Sequence, residues 1–73
     1  MNILVDKTDT KVYTAFIEQC KYKNGNFYVP SENCLYPEVM FIYYENINLP
    51  EDFIPLMYKY DGIEFKKVEE VAE

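Results

Sequence analysis

The chain has 73 residues, 49% hydrophobic and 18% aromatic, with seven lysines, thirteen acidic residues, no arginine and no histidine, for a formal charge of −6. A chain of this length is one domain, 1–73, that hides only about 60% of its extended surface, so eight Tyr and five Phe must supply much of the core, and such a composition excludes disorder. The acidic balance excludes nucleic acid as a partner, because phosphates need a basic footprint, and no stretch approaches the roughly 20 apolar residues of a membrane-spanning helix.

The opening MNILVD, residues 1–6, predicts a short strand, and KTDT after it predicts a turn whose Asp and Thr side chains satisfy backbone groups. Residues 11–23, KVYTAFIEQCKYK, are rich in β-branched and aromatic types and read as a strand. A helix competes there, since Val12, Phe16 and Cys20 are four apart and Asp9 or Thr10 can cap its start. The following Asn24 and Gly25 favour the strand, because both tolerate the positive φ angles of a two-residue type I′ hairpin turn. That turn sets Lys23 against Asn26, Tyr22 against Phe27, Lys21 against Tyr28 and Cys20 against Val29, which gathers Cys20, Tyr22, Phe27 and Val29 on one apolar side.

PSENCLYPE, residues 30–38, reads as a loop bounded by Pro30 and Pro37 that crosses an end of a sheet. Residues 39–47, VMFIYYENI, begin with six consecutive large apolar or aromatic side chains and predict a central strand covered on both faces, by a curled sheet or a second copy of the chain. NLPEDFIP is an irregular turn in which Pro50 can start a single helical turn, with Glu51 and Asp52 near its positive end. Asp61 and Gly62 then predict a second type I′ hairpin, pairing Tyr60 with Ile63, Lys59 with Glu64 and Tyr58 with Phe65. The charged residues 69–73 read as a flexible or frayed tail. The expected fold is all-β with at most one short helix: a small antiparallel sheet or partly open barrel of five or six strands, built from hairpins.

Chemistry finds little footing in these residues. Nucleophilic catalysis wants an activated Ser, Cys, Thr or Lys with a base, and the commonest base is missing. Ser31 has no nucleophile-elbow glycines around it, and Cys20 falls on an apolar hairpin side where a thiol packs. Asp6 with Asp9, or the run Pro50-Glu51-Asp52, offers paired carboxylates, but adjacent carboxylates in turns are usually solvated caps, and Asp6 with Asp9 fails the calcium-loop pattern. Two cysteines fall short of a structural zinc set and read as free thiols in a reducing cytoplasm, with a disulfide as the alternative. No catalytic residue, metal or cofactor is therefore expected. An interaction surface is expected instead, at Met40, Ile42, Tyr43, Tyr44, Glu45, Glu51 and Asp52; exposed tyrosines, Tyr28 among them, make contact area at low entropy cost. Between Lys23 and Lys59 there is no basic residue, which predicts an acidic surface.

The stretch NLPEDFIPLMYKYDGIEFKKVEEV resembles a phrase in proteins encoded among the tail and baseplate genes of tailed bacteriophages and prophages, with the pattern xPEDxxPxxYxYDGxxF. Pro50, Glu51, Asp52, Pro55, Tyr58, Tyr60, Asp61, Gly62 and Phe65 match it, and ILVDKTDTKVY is similar to the usual opening. The resemblance implies a non-enzymatic tail or baseplate accessory protein that acts by protein contact, with itself as a homo-oligomer or with another virion protein, in the cytoplasm of the bacterial host and in the virion. It implies no catalytic residue. The alternative is an acidic inhibitor that blocks a basic site on a host nuclease or defence factor.

Overall fold

Ile3, Leu4 and Val5 are three apolar residues in succession, and in a strand successive side chains point to opposite faces, so the run needs cover on both sides. The fold is built around that need. In the computed structural model, which describes residues 1–68, β1 (Asn2–Asp6) is the middle strand of an antiparallel sheet in the order β2-β1-β6, with β2 at Val12–Phe16 and β6 at Phe41–Tyr44. Ile3, Leu4 and Val5 are buried completely, and each contributes about 1.5–3 kcal/mol by leaving water.

A second antiparallel sheet, β3 (Lys21–Lys23), β4 (Asn26–Val29) and β5 (Cys34–Pro37), packs on one face of the first through Leu4, Phe16, Val29 and Phe41. A two-stranded hairpin, β7 (Tyr58–Tyr60) and β8 (Phe65–Lys67), packs on the other through Ile3, Val5, Val12 and Tyr60. Among the described residues the protein is thus all-β, with eight strands where five or six were expected, in three small antiparallel sheets that close into no barrel, and with no helix long and apolar enough to cross a membrane.

The Asn24-Gly25 hairpin forms as the turn chemistry predicts. Both residues have positive φ, 51° and 79°, and Lys21, Tyr22 and Lys23 oppose Tyr28, Phe27 and Asn26. Several other expectations need correction. The central strand is β1, and residues 39–47 supply an edge strand of four residues, because the chain's own second sheet and its β7–β8 hairpin cover the first sheet on both faces and no second copy is required for that. Residues 30–38 do not cross a sheet end: Glu32 donates to the Val29 carbonyl at 3.1 Å and Asn33, at φ 51°, to that of Pro30 at 3.2 Å, which folds β5 directly onto β4.

Residues 11–23 are two strands. The buried Asn2 amide donates to the Glu18 carbonyl at 2.8 Å and bends the chain out of the first sheet. The second hairpin pairs Tyr60 with Phe65, Lys59 with Lys66 and Tyr58 with Lys67, a slip of two residues from the expected register. Its loop is Asp61 to Glu64: one Asp61 carboxylate oxygen accepts from the amides of Ile63 and Glu64 at 2.8 and 2.9 Å, and only Gly62 has positive φ. The expected Lys59–Glu64 pairing is therefore absent. At Pro50 the chain makes a turn, closed from Phe53 N to the Pro50 carbonyl at 3.1 Å, and no helix. The expected tail at 69–73 lies outside the described residues.

Candidate functional site

An edge strand carries a row of unpaired backbone donors and acceptors, and folded proteins blunt such edges with lysine, proline or cover. Among the described residues most of the edges are blunted. β3 carries Lys21 and Lys23, β5 ends on Pro37, and β8 carries Lys66 and Lys67. The outer side of β2 is met at its start by the β7–β8 hairpin, through a Lys11–Lys59 bridge and amides of Leu56 and Tyr60 that donate to the carbonyls of Val12 and Thr10 at 2.8 and 3.0 Å, while Thr14–Phe16 have no strand beyond them among the described residues. β6 is Phe-Ile-Tyr-Tyr, with neither charge nor proline, and has no strand beyond it among the described residues.

Its register on β1 determines which backbone groups it leaves open. Ile3, Leu4, Val5 and Asp6 oppose Tyr44, Tyr43, Ile42 and Phe41, and Lys7 N donates to the Met40 carbonyl at 2.9 Å. In an antiparallel pair, bonded and non-bonded positions alternate, so Met40, Ile42 and Tyr44 turn their backbone groups towards β1, while Phe41 and Tyr43 turn theirs outward.

Along this edge the apolar side chains grade from core to solvent. Phe41 is buried, with Tyr13 and Tyr36 each packed edge-on to it at 5.3 Å. Tyr13 reaches this face because a bulge opposite Leu4 and Val5 turns it in. Tyr43 stacks on Phe16 at 6.1 Å; its hydroxyl accepts from the Cys20 amide at 3.3 Å and donates to Glu45 at 3.2 Å, and burial pushes it up to about 12. Tyr44 meets Tyr60 edge-on at 4.9 Å. Both tyrosines are thus half-buried packing residues first. Ile42 is 38% exposed, Met40 51% and Val39 76%, and the exposed carboxylates Glu38 and Glu45 stand at the two ends of this stretch.

Of the expected surface residues, the structure gathers Met40, Ile42, Tyr43, Tyr44 and Glu45 on one strand and its flanks. Glu51 and Asp52 belong elsewhere, in the turn beside the β7–β8 hairpin. Asp52 accepts from the Tyr58 hydroxyl at 2.5 Å and pairs with Lys67 at 3.6 Å, and these partners, the hydroxyl foremost, hold its carboxyl below the usual range. Asn24, Gly25, Asp61 and Gly62 are all spent on turn geometry. Tyr28 lies on β4 and donates its hydroxyl to Asn33 at 2.9 Å.

A polar cluster escaped sequence reasoning. Glu32, half-buried, accepts from the hydroxyls of both Thr14 and Tyr36, and Glu18 accepts from the Ser31 amide at 2.7 Å. The cluster ties the 30–33 turn to β2 and its continuation; burial and then Glu32 push the Tyr36 hydroxyl upward. Its sequence signal was weak, because Thr14 and Glu32 are 18 residues apart. The free Cys20 is half-buried and its thiol is pushed up chiefly by burial, whereas the free Cys34 is exposed. An open depression of about 270 Å³ lies between Asn46, Ile47, Asn48, Tyr60, Ile63 and Phe65, with no charged group in its lining. Among the described residues, no three of His, Cys, Asp and Glu come together as metal ligands.

No family model, no curated protein and no solved structure matches this chain.

Proposed function

We propose that the chain is a non-enzymatic protein that works by protein contact through the β6 edge, as a tail or baseplate accessory component of a tailed phage or prophage. The observation that carries the contact reading is the coincidence of an unguarded edge with an exposed apolar patch: Phe41–Tyr44 has no lysine, proline or further strand and lies beside the exposed Val39, Met40 and Ile42, whereas lysine guards β3 and β8 and proline ends β5. Strand addition to such an edge takes affinity from main-chain hydrogen bonds and specificity from alternate side chains. The phage setting is supported by the likeness of residues 48–71 to tail-associated proteins, and it puts the protein first in the bacterial cytoplasm and then in the virion, bound to itself or to another virion protein.

A second reading, an acidic inhibitor of a basic host protein, is favoured by Glu38 and Glu45 standing exposed at either end of the same edge. One experiment separates them. Tagged protein and its Ile42→Lys variant are used to capture partners from induced or infected cells, and the complexes are washed at rising salt. A virion component retained at high salt and lost with the variant supports the tail reading; a basic host protein released by salt supports the inhibitor; equal capture by both forms overturns the β6 edge as the contact.

A further inference from the structure

We infer that the occupant of the β6 edge is the β6 edge of a second copy, paired antiparallel about a two-fold axis at Ile42, so that two three-stranded sheets become one continuous sheet of six. The inference rests on the contact role of that edge proposed above and goes on to name the partner.

The edge is complementary to itself in one register only. Outward-facing groups must meet outward-facing groups, so Phe41 and Tyr43 of one copy have to oppose Phe41 or Tyr43 of the other. With the axis at Ile42, Phe41 lies across from Tyr43 of the second copy, Ile42 from Ile42, and Met40 from Tyr44, so every pair is apolar or aromatic on both sides. Glu45 then falls opposite Val39 and Glu38 opposite Asn46, so no carboxylate faces a carboxylate although each copy carries −6. An axis at Tyr43 sets Glu45 against the buried Phe41. An axis at Phe41 leaves only Phe41 paired within β6 and sets Ile42, Tyr43 and Tyr44 against residues 38–40, which form a turn, whereas the axis at Ile42 keeps Phe41, Ile42 and Tyr43 paired within the strand. The chosen register also covers Val39, Met40 and Ile42, the exposed apolar residues the monomer leaves beside this strand. Such an isologous interface closes after two copies, so it makes dimers and not filaments.

The test uses the whole chain with Cys20→Ser and Cys34→Ser, compared with the same background carrying Ile42→Cys. In the inferred register the two copies of position 42 form a non-hydrogen-bonded pair with Cα atoms about 4.5 Å apart, within disulfide range, and mild oxidation of the Ile42→Cys protein is expected to join two chains. Light scattering of the unmodified protein over a concentration series is expected to reach twice the monomer mass, with amide exchange at Phe41 and Tyr43 slowing as concentration rises. Ile42→Lys sets two lysines face to face and is expected to return the monomer; circular dichroism matching the unmodified protein shows that it still folds. A monomer at every concentration, or dimers whose Phe41 and Tyr43 amides exchange as fast as in the monomer, overturns the pairing. If a monomeric protein still captures a virion component that Ile42→Lys loses, the pairing falls and the contact role stands; if it captures nothing, both fall.

Discussion

The side-chain amide of Asn2 donates to the backbone carbonyl of Glu18 at 2.8 Å, joining the first residue of the central strand to the point where the chain leaves that sheet for the next. The same side chain accepts from the Asn46 amide at 3.1 Å, so one buried residue holds the bends that follow both β2 and β6. Its removal leaves partners on both segments unsatisfied. Asn2→Ala is expected to cost about 1–3 kcal/mol in chemical denaturation. Asn2→Asp, which keeps an acceptor for Asn46 but sets a carboxylate against the Glu18 carbonyl, should cost at least as much. An Asn2→Ala protein as stable as the parent would remove this residue from the account of the fold.

Leu4 and Ile42 give opposite responses if β1 is the centre of the fold and β6 its edge. Leu4 is wholly buried between β2, β6 and the second sheet, and Leu4→Ala is expected to cost about 2–5 kcal/mol through lost burial and the cavity left behind. A domain of this size has roughly 4–11 kcal/mol in total, so the variant should be largely unfolded at modest denaturant. Ile42→Ala, at a side chain 38% exposed, should cost about 1 kcal/mol or less when measured at concentrations where the protein is a monomer. Equal losses at the two positions would return the central role to residues 39–47.

These residues also show what was legible in the sequence. The Asn24-Gly25 hairpin could be read as far as Lys21–Tyr28, because turn geometry and the sorting of Tyr22 and Phe27 from Lys21 and Lys23 demand the same register; the ladder stops there, short of the expected Cys20–Val29 pair. Asp61-Gly62 satisfies a two-residue and a four-residue loop alike: the two registers differ by two positions, which leaves Tyr58, Tyr60 and Phe65 on the same side, and the Asp61 carboxylate's hold on two amides decides between them. The 39–44 apolar run has the look of a centre when that strand is taken alone. What covers a strand is set by tertiary packing, and here the short run Ile3-Leu4-Val5 captured both the second sheet and the β7–β8 hairpin. At the candidate site, the sequence places Met40, Ile42 and Glu45 close to Glu51 and Asp52 along the chain, and nothing in it shows that the turns between them carry Glu51 and Asp52 to the other hairpin.

Gly62 is expected to tolerate a side chain less well than Gly25. Gly62 has φ +98°, farther than Gly25 from the left-handed region at about +57° that L residues can reach, while a Cβ there would make only ordinary contact with the Tyr44 hydroxyl at 3.4 Å. Gly25 has φ +79° with open space around it, so an added methyl meets only backbone strain. Gly62→Ala should cost about 1–3 kcal/mol and Gly25→Ala about 1–2 kcal/mol, with thermal melts of the two variants giving the order. Should Gly25→Ala prove the more damaging, the shape of the 61–64 loop is wrong.

Stability should fall at both ends of the pH scale, for different reasons. Asp52, Asp61 and Glu18 have carboxyls held below their ordinary values by hydrogen bonds, from the Tyr58 hydroxyl, from the Glu64 and Ile63 amides, and at Ser31. A lowered folded-state value means that the unfolded chain takes up protons first on acidification, so their stabilisation is present above about pH 4 and drains away as pH drops further. Tyr43 and Tyr36 are shifted the other way, chiefly by burial, Tyr43 from 10 to about 12. Unfolded chain then loses phenolic protons before folded chain does, so stability holds below about pH 10 and decreases as pH climbs towards and past 12. Denaturant midpoints measured across the range should therefore show a plateau between these limits. Tyr43→Phe should blunt the alkaline fall and leave the acid one unchanged, and an unaltered alkaline limb in that variant would mean that Tyr43 is not held protonated by the fold.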